Sequence, residues 1–564
     1  MNRSHNPRSG NGSLVAKFRL AFVALLLLLM LGCVAPNPSP TQTLVPTSTP
    51  TLPPPGVNTT QVPDAEPAAR AYLDAWSGDR YSEMYAMLTP LSQDAISEED
   101  FVNWYRGVAT EAALEGVEYE ILSSFIRSPR SAQVKYRVTL HSVLVGEIQG
   151  EVVMNLSLDA SAWRVQWADN LILPELSGGN YLWMERHVPS RANIYDRNGN
   201  ALVAYTKAVS IGLAPGQIEP DTEDAVLSQL QWLTGLHPDT IAVMYEDFPP
   251  NTDWYLPLGE AAFERVQQRY DVANGYNDNG ILMHPFEGRF YFNNGVAPQA
   301  VGYVSLIQEQ EADRYLRQGY QIDEKVGRQG IEQWGEPYLG GKRGGTLYVV
   351  NPDGDIVTQL ADVLAEPSQA IYTTLDKDLQ MGAQQALRGY RGAIVVLELD
   401  TGRVLVMASG PDFDPNAFEP TNQNSAAILS EMYAQDSGLP LLNRATMGQY
   451  PLGSVFKIVT ISAALESGLY TPETTYECGY EFTELQGVTL YDWTYDHYLE
   501  DGKTIPSGTL TLPEGLMRSC NPFFWHIGLD LYREGLTDAI AEMAHGFGLG
   551  ELTGIEGVDE EEGQ

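Results

Sequence analysis

A serine and a lysine stand three residues apart in the stretch YPLGSVFKIVT, at Ser454 and Lys457. Residues three apart on a helix share a face, so these side chains would lie about one turn from each other. The residues that follow are apolar on nearly every side, which predicts a buried helix. Burial lowers the pKa of an amine, and a neutral lysine could act as a base for the serine hydroxyl. A helix-capping serine and a surface lysine fit the same pattern.

A second polar triplet, Ser519-Cys520-Asn521, lies 65 residues downstream of Ser454 (519 − 454). Pro522 follows it and marks a break between a helical segment and an apolar helix. The triplet is therefore predicted to lie on a loop held by two helices, which could present its side chains rigidly. Taken alone, the triplet also fits a helix cap formed by the asparagine.

We expect no catalytic role for the cysteines, although one of them lies in the polar triplet. Cys520 brings no charge, so we expect it to take no part in proton transfer. An exposed unpaired thiol is a liability in an oxidising compartment, which leaves burial or a disulfide with Cys478, and we expect burial. Without a CxxC, HExxH, GxSxG or P-loop in the sequence, neither a metal nor a cofactor is predicted.

Two further phrases complete an order of motifs. Asn443-Arg444-Ala445 precedes the serine, and GFGLGELTGIEG at 546–557 follows the triplet. Together with the two motifs, they resemble the penicillin-binding transpeptidases, a group marked by SxxK, SDN and KTG motifs. The resemblance implies a serine acyltransferase that crosslinks peptidoglycan stem peptides ending in D-Ala-D-Ala and that binds β-lactams covalently.

The resemblance also implies a role for each polar residue. Ser454 would attack the carbonyl between the two terminal D-alanines, and Lys457 would take its proton. Ser519 would relay a proton to the departing D-alanine, and Asn521 would hydrogen-bond the substrate backbone. The backbone N–H of Ser454 would provide half of an oxyanion hole.

The third motif of the family, Lys-Thr-Gly or Lys-Ser-Gly, does not occur in this sequence. In the family it lies on a later strand, so we expect the chain to be a C-terminally truncated, impaired form with an incomplete transpeptidase domain. Two other functions stay open. One is a β-lactam sensor or class D-like β-lactamase, and the other is a non-catalytic cell-wall scaffold.

The elements that must position these residues form the segment 366–564. A strand near Ile371 leads into an amphipathic helix that Asp376 is placed to cap. A hairpin follows, with strands at 393–399 and 403–408. These phrases resemble the opening of a penicillin-binding transpeptidase domain, which is the domain predicted for the whole segment.

The segment 176–365 reads as a β-rich scaffold. Asn198-Gly199 is a hairpin signal between apolar strands, and a second turn is predicted at Asp353-Gly354. The glycine-rich stretch at 326–345 ends before another strand. These stretches resemble the pedestal, or dimerisation, domain of class B penicillin-binding proteins.

The segment 64–175 begins with apolar residues at helical spacing over 68–90, which predicts two helices. Alternating runs then predict antiparallel strands with a turn after Asp159. In pattern and position the segment resembles the NTF2-like N-terminal domain of low-affinity penicillin-binding proteins. Such a cone can bind small molecules, and here we expect a spacer.

The N-terminus combines a basic start with sixteen apolar residues at 20–35, which predicts an export signal at 1–32. Leu31-Gly32-Cys33 resembles a bacterial lipobox, and this implies lipidation at Cys33; an uncleaved anchor is the alternative. Residues 33–63 are rich in proline and threonine and lack charge, so they are predicted to form an extended linker. Either anchor would tether the chain to the outer face of the bacterial cytoplasmic membrane.

Length and charge set the class of the protein. A chain of 564 residues exceeds one core, so several domains are expected, and the segments above predict a multi-domain α+β fold. Its 73 acidic and 34 basic residues leave a formal charge of −39, which argues against nucleic acid as a partner. The expected partners are stem peptides, β-lactams, and a glycosyltransferase or other protein of cell division or elongation.

The predicted anchor can be tested directly. Metabolic labelling with a palmitate analogue should tag the protein and should fail in Cys33→Ala, because the side chain that carries the lipid is then absent. Equal labelling of the variant, or a mature protein that retains Met1, would contradict lipidation.

Overall fold

The computed structural model describes residues 62–249, 252 and 254–563. The predicted export signal at 1–32, the lipidation site at Cys33 and nearly all of the linker at 33–63 lie outside the described residues. None of the helices in the described ranges is both long and apolar enough to cross a bilayer. Three regions follow one another along the chain, and they have the multi-domain α+β character that the sequence predicts.

The first region packs four helices against a four-stranded antiparallel sheet in the order β1-β2-β3-β4. Its elements are α1 Glu66–Ser77, α2 Tyr81–Ala86, α3 Pro90–Ala95, α4 Glu98–Glu111, β1 Leu114–Ser128, β2 Ser131–Ser142, β3 Gly146–Asp159 and β4 Ala162–Gln166. The spacing of apolar residues predicts α1 and α2, and α3 and α4 follow them. The predicted turn after Asp159 joins β3 to β4. Strict alternation of buried and half-buried residues along β2 places one face of the sheet in the core.

The second region is built mainly on strands. Its strands are β5 Tyr181–His187, β6 Ile194–Tyr195, β7 Ala201–Leu213, β8 Leu256–Ala262, β9 Tyr276–Asp278, β10 Ile281–Tyr291, β11 Val304–Leu306, β12 Lys325–Gly327, β13 Gly344–Val350 and β14 Ile356–Val363. Its helices are α5 Glu223–Thr234, α6 Pro238–Met244, α7 Phe263–Val266, α8 Pro298–Val301, α9 Ala312–Arg317, α10 Gly330–Trp334 and α11 Glu336–Leu339. The predicted turns at Asn198-Gly199 and Asp353-Gly354 connect β6 to β7 and β13 to β14.

A buried ion-pair network stabilises the second region. Glu332 is fully buried, and its two carboxylate oxygens accept hydrogen bonds from Arg289 Nε at 2.5 Å and Arg191 Nε at 2.9 Å. The Tyr291 hydroxyl donates to the same carboxylate at 3.1 Å. The two guanidinium groups lower the pKa of Glu332 against the effect of burial. Removing one partner would leave a buried charge uncompensated, so the network fixes these elements together.

The third region contains the serine, the lysine and the polar triplet. Its strands are β15 Ile371–Tyr372, β16 Gly392–Leu397, β17 Val404–Gly410, β18 Thr475–Cys478, β19 Glu481–Phe482, β20 Leu490–Tyr491 and β21 Gly508–Thr511. Its helices are α12 Lys377–Leu387, α13 Ser425–Met432, α14 Lys457–Glu466, α15 Trp493–Asp501, α16 Leu512–Met517, α17 Asn521–Arg533 and α18 Ala539–Gly546. Asp376 caps α12 by accepting from Leu379 N–H at 3.2 Å, and β16 and β17 form the predicted hairpin.

The second and third regions share a sheet and a polar junction. Strand β15 pairs in parallel with β6, so the third region begins inside the sheet of the second. Glu260 on β8 accepts hydrogen bonds at 2.8 Å from the side-chain amides of Asn422 and Asn424. Asp414 is half-buried nearby, and Asn416 donates to it at 2.8 Å. Burial, and then the neighbouring Glu260 carboxylate, raise the pKa of Asp414 well above its usual range.

This junction makes a pH-dependent contribution to stability. A carboxyl group whose pKa is raised by folding stabilises the folded state in its protonated form. This contribution is complete below the pKa of the group in the unfolded state, about 3.9, and is lost as the pH rises through its pKa in the folded state. The free energy of unfolding should therefore fall less with rising pH in Asp414→Asn, whose neutral amide needs no proton. Urea unfolding from about pH 4.5 to about pH 8 measures the difference.

The matched control for this prediction is Asp436→Asn, which removes an exposed carboxylate from the same region. It should follow the pH dependence of the unmodified protein. If Asp414→Asn also shows the pH dependence of the unmodified protein, the assignment of a raised pKa to Asp414 is wrong.

Candidate active site

Gly453 sets the entry to the helix that carries the serine and the lysine. Its φ of +58° lies in the left-handed region, which glycine adopts at little cost. A 3-10 turn over Gly453–Phe456 then runs into α14. Ser454 is exposed at the top of this turn, and Lys457 is buried one turn below it.

The amine of Lys457 is the meeting point of the two sequence motifs. Its Nζ donates to the Ser519 carbonyl oxygen at 2.8 Å, to Asn521 Oδ1 at 2.5 Å and to Ser519 Oγ at 3.0 Å. Ser454 Oγ lies 3.4 Å from Nζ and 3.0 Å from Ser519 Oγ. The structure therefore brings together all four residues that the sequence singles out in the third region.

Two opposed effects act on the pKa of the amine in this cluster. Burial lowers the pKa of Lys457, and the Asp492 carboxylate opposes this effect. A neutral amine can donate its two N–H groups to the Ser519 carbonyl and to Asn521 Oδ1, which leaves its lone pair for a hydroxyl. The Ser454 proton can reach that lone pair directly or through the Ser519 hydroxyl. The arrangement can therefore activate an exposed serine as a nucleophile.

The capping alternatives that the sequence allows are wrong. Neither the 3-10 turn nor α14 has a side-chain cap at its N-terminus, so Ser454 does not cap either one. Lys457 is only 9% exposed, which excludes a surface lysine. Cys520, and not Asn521, is the N-cap residue of α17.

The prediction that α14 is buried on nearly every face is also wrong. Val459, Ala463 and Ala464 are buried, but Ile458 is 50% exposed and Leu465 is 41% exposed. The apolar composition of a helix sets which faces can be buried. Which of them finds a partner depends on the packing of distant segments.

Ser519 and Cys520 lie on the predicted loop between α16 and α17, and Asn521 is the first residue of α17. Ser519 adopts φ +53°, a left-handed conformation that is uncommon for serine. Cys520 is fully buried and forms a disulfide with Cys478 at the end of β18. The expected burial of Cys520 is therefore confirmed, but the expectation that it is unpaired is wrong. Burial of both sulfur atoms in one core cluster brings the two cysteines within bonding distance.

Comparison with known families places each region. The family model described as "NTF2-like N-terminal transpeptidase domain" matches residues 64–180, and "Penicillin-binding Protein dimerisation domain" matches 186–373. "Penicillin binding protein transpeptidase domain" matches 392–564, which contains the whole cluster around Lys457.

The chain belongs to the class B penicillin-binding proteins. Among the curated relatives of this penicillin-binding protein is the peptidoglycan D,D-transpeptidase MrdA of Salmonella typhimurium strain SL1344, 32% identical over 69% of this chain and 60% of the relative. MrdA of Escherichia coli K12 is 30% identical over 66% of this chain and 57% of the relative. The chain thus spans about three-fifths of the length of these relatives.

Two solved structures contain chains that are similar to this one. The complex between PBP2 and MreC from Helicobacter pylori contains a chain 26% identical to this penicillin-binding protein, with a TM-score of 0.45 and 68% of both chains covered. A chain of a peptidoglycan synthase complex is 30% identical, with a TM-score of 0.43, and the match covers 70% of this chain and 66% of that one.

Beside the cluster, Asp492 is missed by the motif analysis, and Cys478 is considered there only as the alternative to an unpaired Cys520. Asp492 accepts a hydrogen bond from the backbone N–H of Asn521 at 2.9 Å, and Cys478 forms the disulfide with Cys520. An aspartate before Trp493 at the start of a helix is a capping signal. Two cysteines in the mature part of an exported chain are a disulfide signal. Neither signal shows that the residue lies against the triplet.

The disulfide should stabilise the third region measurably. It closes a loop with a sequence separation of 42 residues, and loops of this size contribute on the order of 2–4 kcal/mol. The double variant Cys478→Ala, Cys520→Ala should lower the unfolding midpoint of this region, measured by denaturant titration. A dithiol reductant should shift the unmodified protein towards the variant and leave the variant unchanged. Equal midpoints for the two proteins without reductant would contradict this contribution.

Proposed function

We propose that this chain is a peptidoglycan D,D-transpeptidase of the penicillin-binding type, with Ser454 as its nucleophile. The observation that carries the proposal is the contact of one buried amine, Lys457 Nζ, with an exposed serine hydroxyl and with the Ser519–Asn521 loop. The printed name of the curated relatives, peptidoglycan D,D-transpeptidase, supports the same reaction. The proposed nucleophile and its proposed base both lie in this contact.

In the proposed reaction, Ser454 Oγ attacks the carbonyl carbon between the two terminal D-alanines of a stem peptide. Lys457 accepts the serine proton, either directly or through Ser519. The C–N bond then breaks, Ser519 passes a proton to the departing D-alanine, and an acyl-enzyme remains. The amine of a second stem peptide attacks this ester, forms the crosslink and returns the proton to the serine.

The remaining parts of the site serve positioning and charge stabilisation in this proposal. The Asn521 side chain hydrogen-bonds the substrate backbone, and the backbone N–H of Ser454 contributes to the oxyanion hole. A β-lactam imitates the terminal dipeptide and acylates Ser454. No cofactor is needed, because attack, proton transfer and departure of D-alanine use only these groups.

The other regions serve as support in this proposal. The division into 64–175, 176–365 and 366–564 is consistent with the ranges of the three family models. We assign the second region the role of pedestal and the first that of spacer. Residues 1–32 and 33–63 would supply the export signal and the linker.

We place the protein on the outer face of the bacterial cytoplasmic membrane, held by a lipid at Cys33 or by its N-terminal segment. The Cys478–Cys520 disulfide supports this location, because disulfides persist in oxidising compartments outside the cytoplasm. The related solved structures are a complex with MreC and a peptidoglycan synthase complex. We propose that this chain also works beside another protein of cell-wall synthesis, such as a glycosyltransferase.

A labelled penicillin tests the reaction. Prolonged incubation should place a stable adduct on Ser454, located by peptide mass spectrometry, and Ser454→Ala should abolish it. Lys457→Ala should slow the adduct by roughly 10²–10⁴-fold, the usual loss when a general base is removed. The matched control is Ser462→Ala on the same helix, whose hydroxyl donates to the Ile458 carbonyl instead; it should label like the unmodified protein.

The fate of the label separates the alternatives. A stable adduct supports the transpeptidase, rapid release of hydrolysed penicillin indicates a β-lactamase, and the absence of label indicates a scaffold. An adduct on a residue other than Ser454 would overturn the assignment of the nucleophile.

A further inference from the structure

The start of α15 contacts the polar triplet at both ends. Asp492 Oδ1 accepts a hydrogen bond from Asn521 N–H at 2.9 Å, at the C-terminal end of the triplet. Trp493 Nε1 donates to the carbonyl oxygen of Arg518 at 3.2 Å, immediately before it. The Arg518 guanidinium also lies 5.7 Å from the Trp493 ring centroid. Two adjacent residues of a distant segment therefore bracket Ser519.

Asp492 is itself held rigidly. It is 0% exposed, and its second carboxylate oxygen accepts from Thr494 Oγ1 at 2.7 Å and from Thr494 N–H at 3.3 Å. Its own N–H donates to the Tyr480 carbonyl at 2.8 Å. A buried carboxylate needs such partners on both oxygens, and three of them fix its position.

The middle of the triplet is fixed from the same side. Cys520 is joined to Cys478, and a carboxylate oxygen of Asp492 lies within 4.8 Å of both sulfur atoms. The loop is thus attached just before the triplet, at its middle residue and at its last residue. The left-handed backbone conformation of Ser519 persists only where its surroundings impose it.

We propose that Asp492 is a positioning residue for the acylation of Ser454: it holds the N-terminus of α17, and with it Asn521 and Ser519, against the Lys457 amine. This inference rests on the proposed function. Asp492 does not touch the reacting atoms in this account, and it acts through Asn521 and through its charge.

The charge of Asp492 gives the proposal a specific signature. The groups that face Lys457 Nζ are the Ser454 hydroxyl, Ser519 and Asn521 beside it, the Phe524 ring of α17 at 5.4 Å, and Asp492 from the start of α15. Of these groups, Asp492 alone carries a charge. Its carboxylate raises the pKa of Lys457 against the effect of burial, so removing the charge must lower that pKa.

The first experiment measures the Lys457 amine without any substrate. Lysine-selective 13C NMR titration, with the Lys457 signal assigned by its loss in Lys457→Arg, should give a lower pKa in Asp492→Asn than in the unmodified protein. The signal of the exposed Lys503 should titrate equally in both proteins. Asp496→Asn, an exposed carboxylate on α15, is the matched control and should leave Lys457 unchanged.

The second experiment follows acylation by labelled penicillin against pH. Asp492→Asn keeps an oxygen that can accept from Asn521 N–H, so its acylation should persist, with the acid limb moved to lower pH. Asp492→Ala loses the acceptor, and acylation should slow on the order of 10²-fold at every pH, while initial penicillin binding is retained. If the Asp492→Ala variant does not fold, the pH profile of the Asp492→Asn variant decides whether the proposal holds.

A merely structural role has a different outcome. Variants that lower the melting temperature but leave the Lys457 pKa and the acid limb unchanged would overturn the proposal. The NMR titration tests Asp492 even if the unmodified protein fails to acylate. That failure would count against the proposed function and not against the electrostatic effect of Asp492 on the lysine.

Discussion

The local structure of the third region depends on the burial of one amine. Lys457 is 9% exposed, and a buried amine must have hydrogen-bond acceptors around it. Its own helix offers a serine hydroxyl, while a carbonyl and an amide oxygen come from the Ser519–Asn521 loop. The loop must therefore stay against α14, and the left-handed Ser519, the disulfide and the cap at Asp492 all serve that contact. The same contact buries the lysine beside the exposed hydroxyl of Ser454, and this burial lowers its pKa.

The wider architecture supports this cluster without entering it. Strand β15 extends the sheet of the second region, and the Glu260 junction adds a polar contact between the two regions. Within the second region, the buried Glu332 network holds the supporting elements together. The third region, attached in this way, leaves Ser454 exposed while Lys457 stays buried.

Local features could be predicted from the sequence because their causes are local. The spacing of Ser454 and Lys457, the cap at Asp376 and the turn at Asn198-Gly199 follow from backbone geometry and side-chain chemistry within a few residues. The choice between an unpaired Cys520 and a disulfide with Cys478 could not be made in this way, since a disulfide depends on how strands and helices distant in sequence pack. The exposed side of α14 has the same origin.

The contacts of Asp492 show this limit most clearly. Its capping role is readable from its place before a helix, yet its hydrogen bond to Asn521 joins residues 29 apart in sequence. The sequence alone does not show which two distant residues form such a contact, because this depends on the fold. The reactive side chains could be predicted from the sequence, because in each motif they lie at most three positions apart.

The pH dependence of Ser454 acylation in the unmodified protein tests the central claim most directly. If a buried, neutral Lys457 is the base, the rate of adduct formation should rise with pH and level off below about pH 10.4, the ordinary pKa of a lysine. A rate that keeps rising to that pH, or that does not depend on pH, would contradict the account of Lys457 as the activating base.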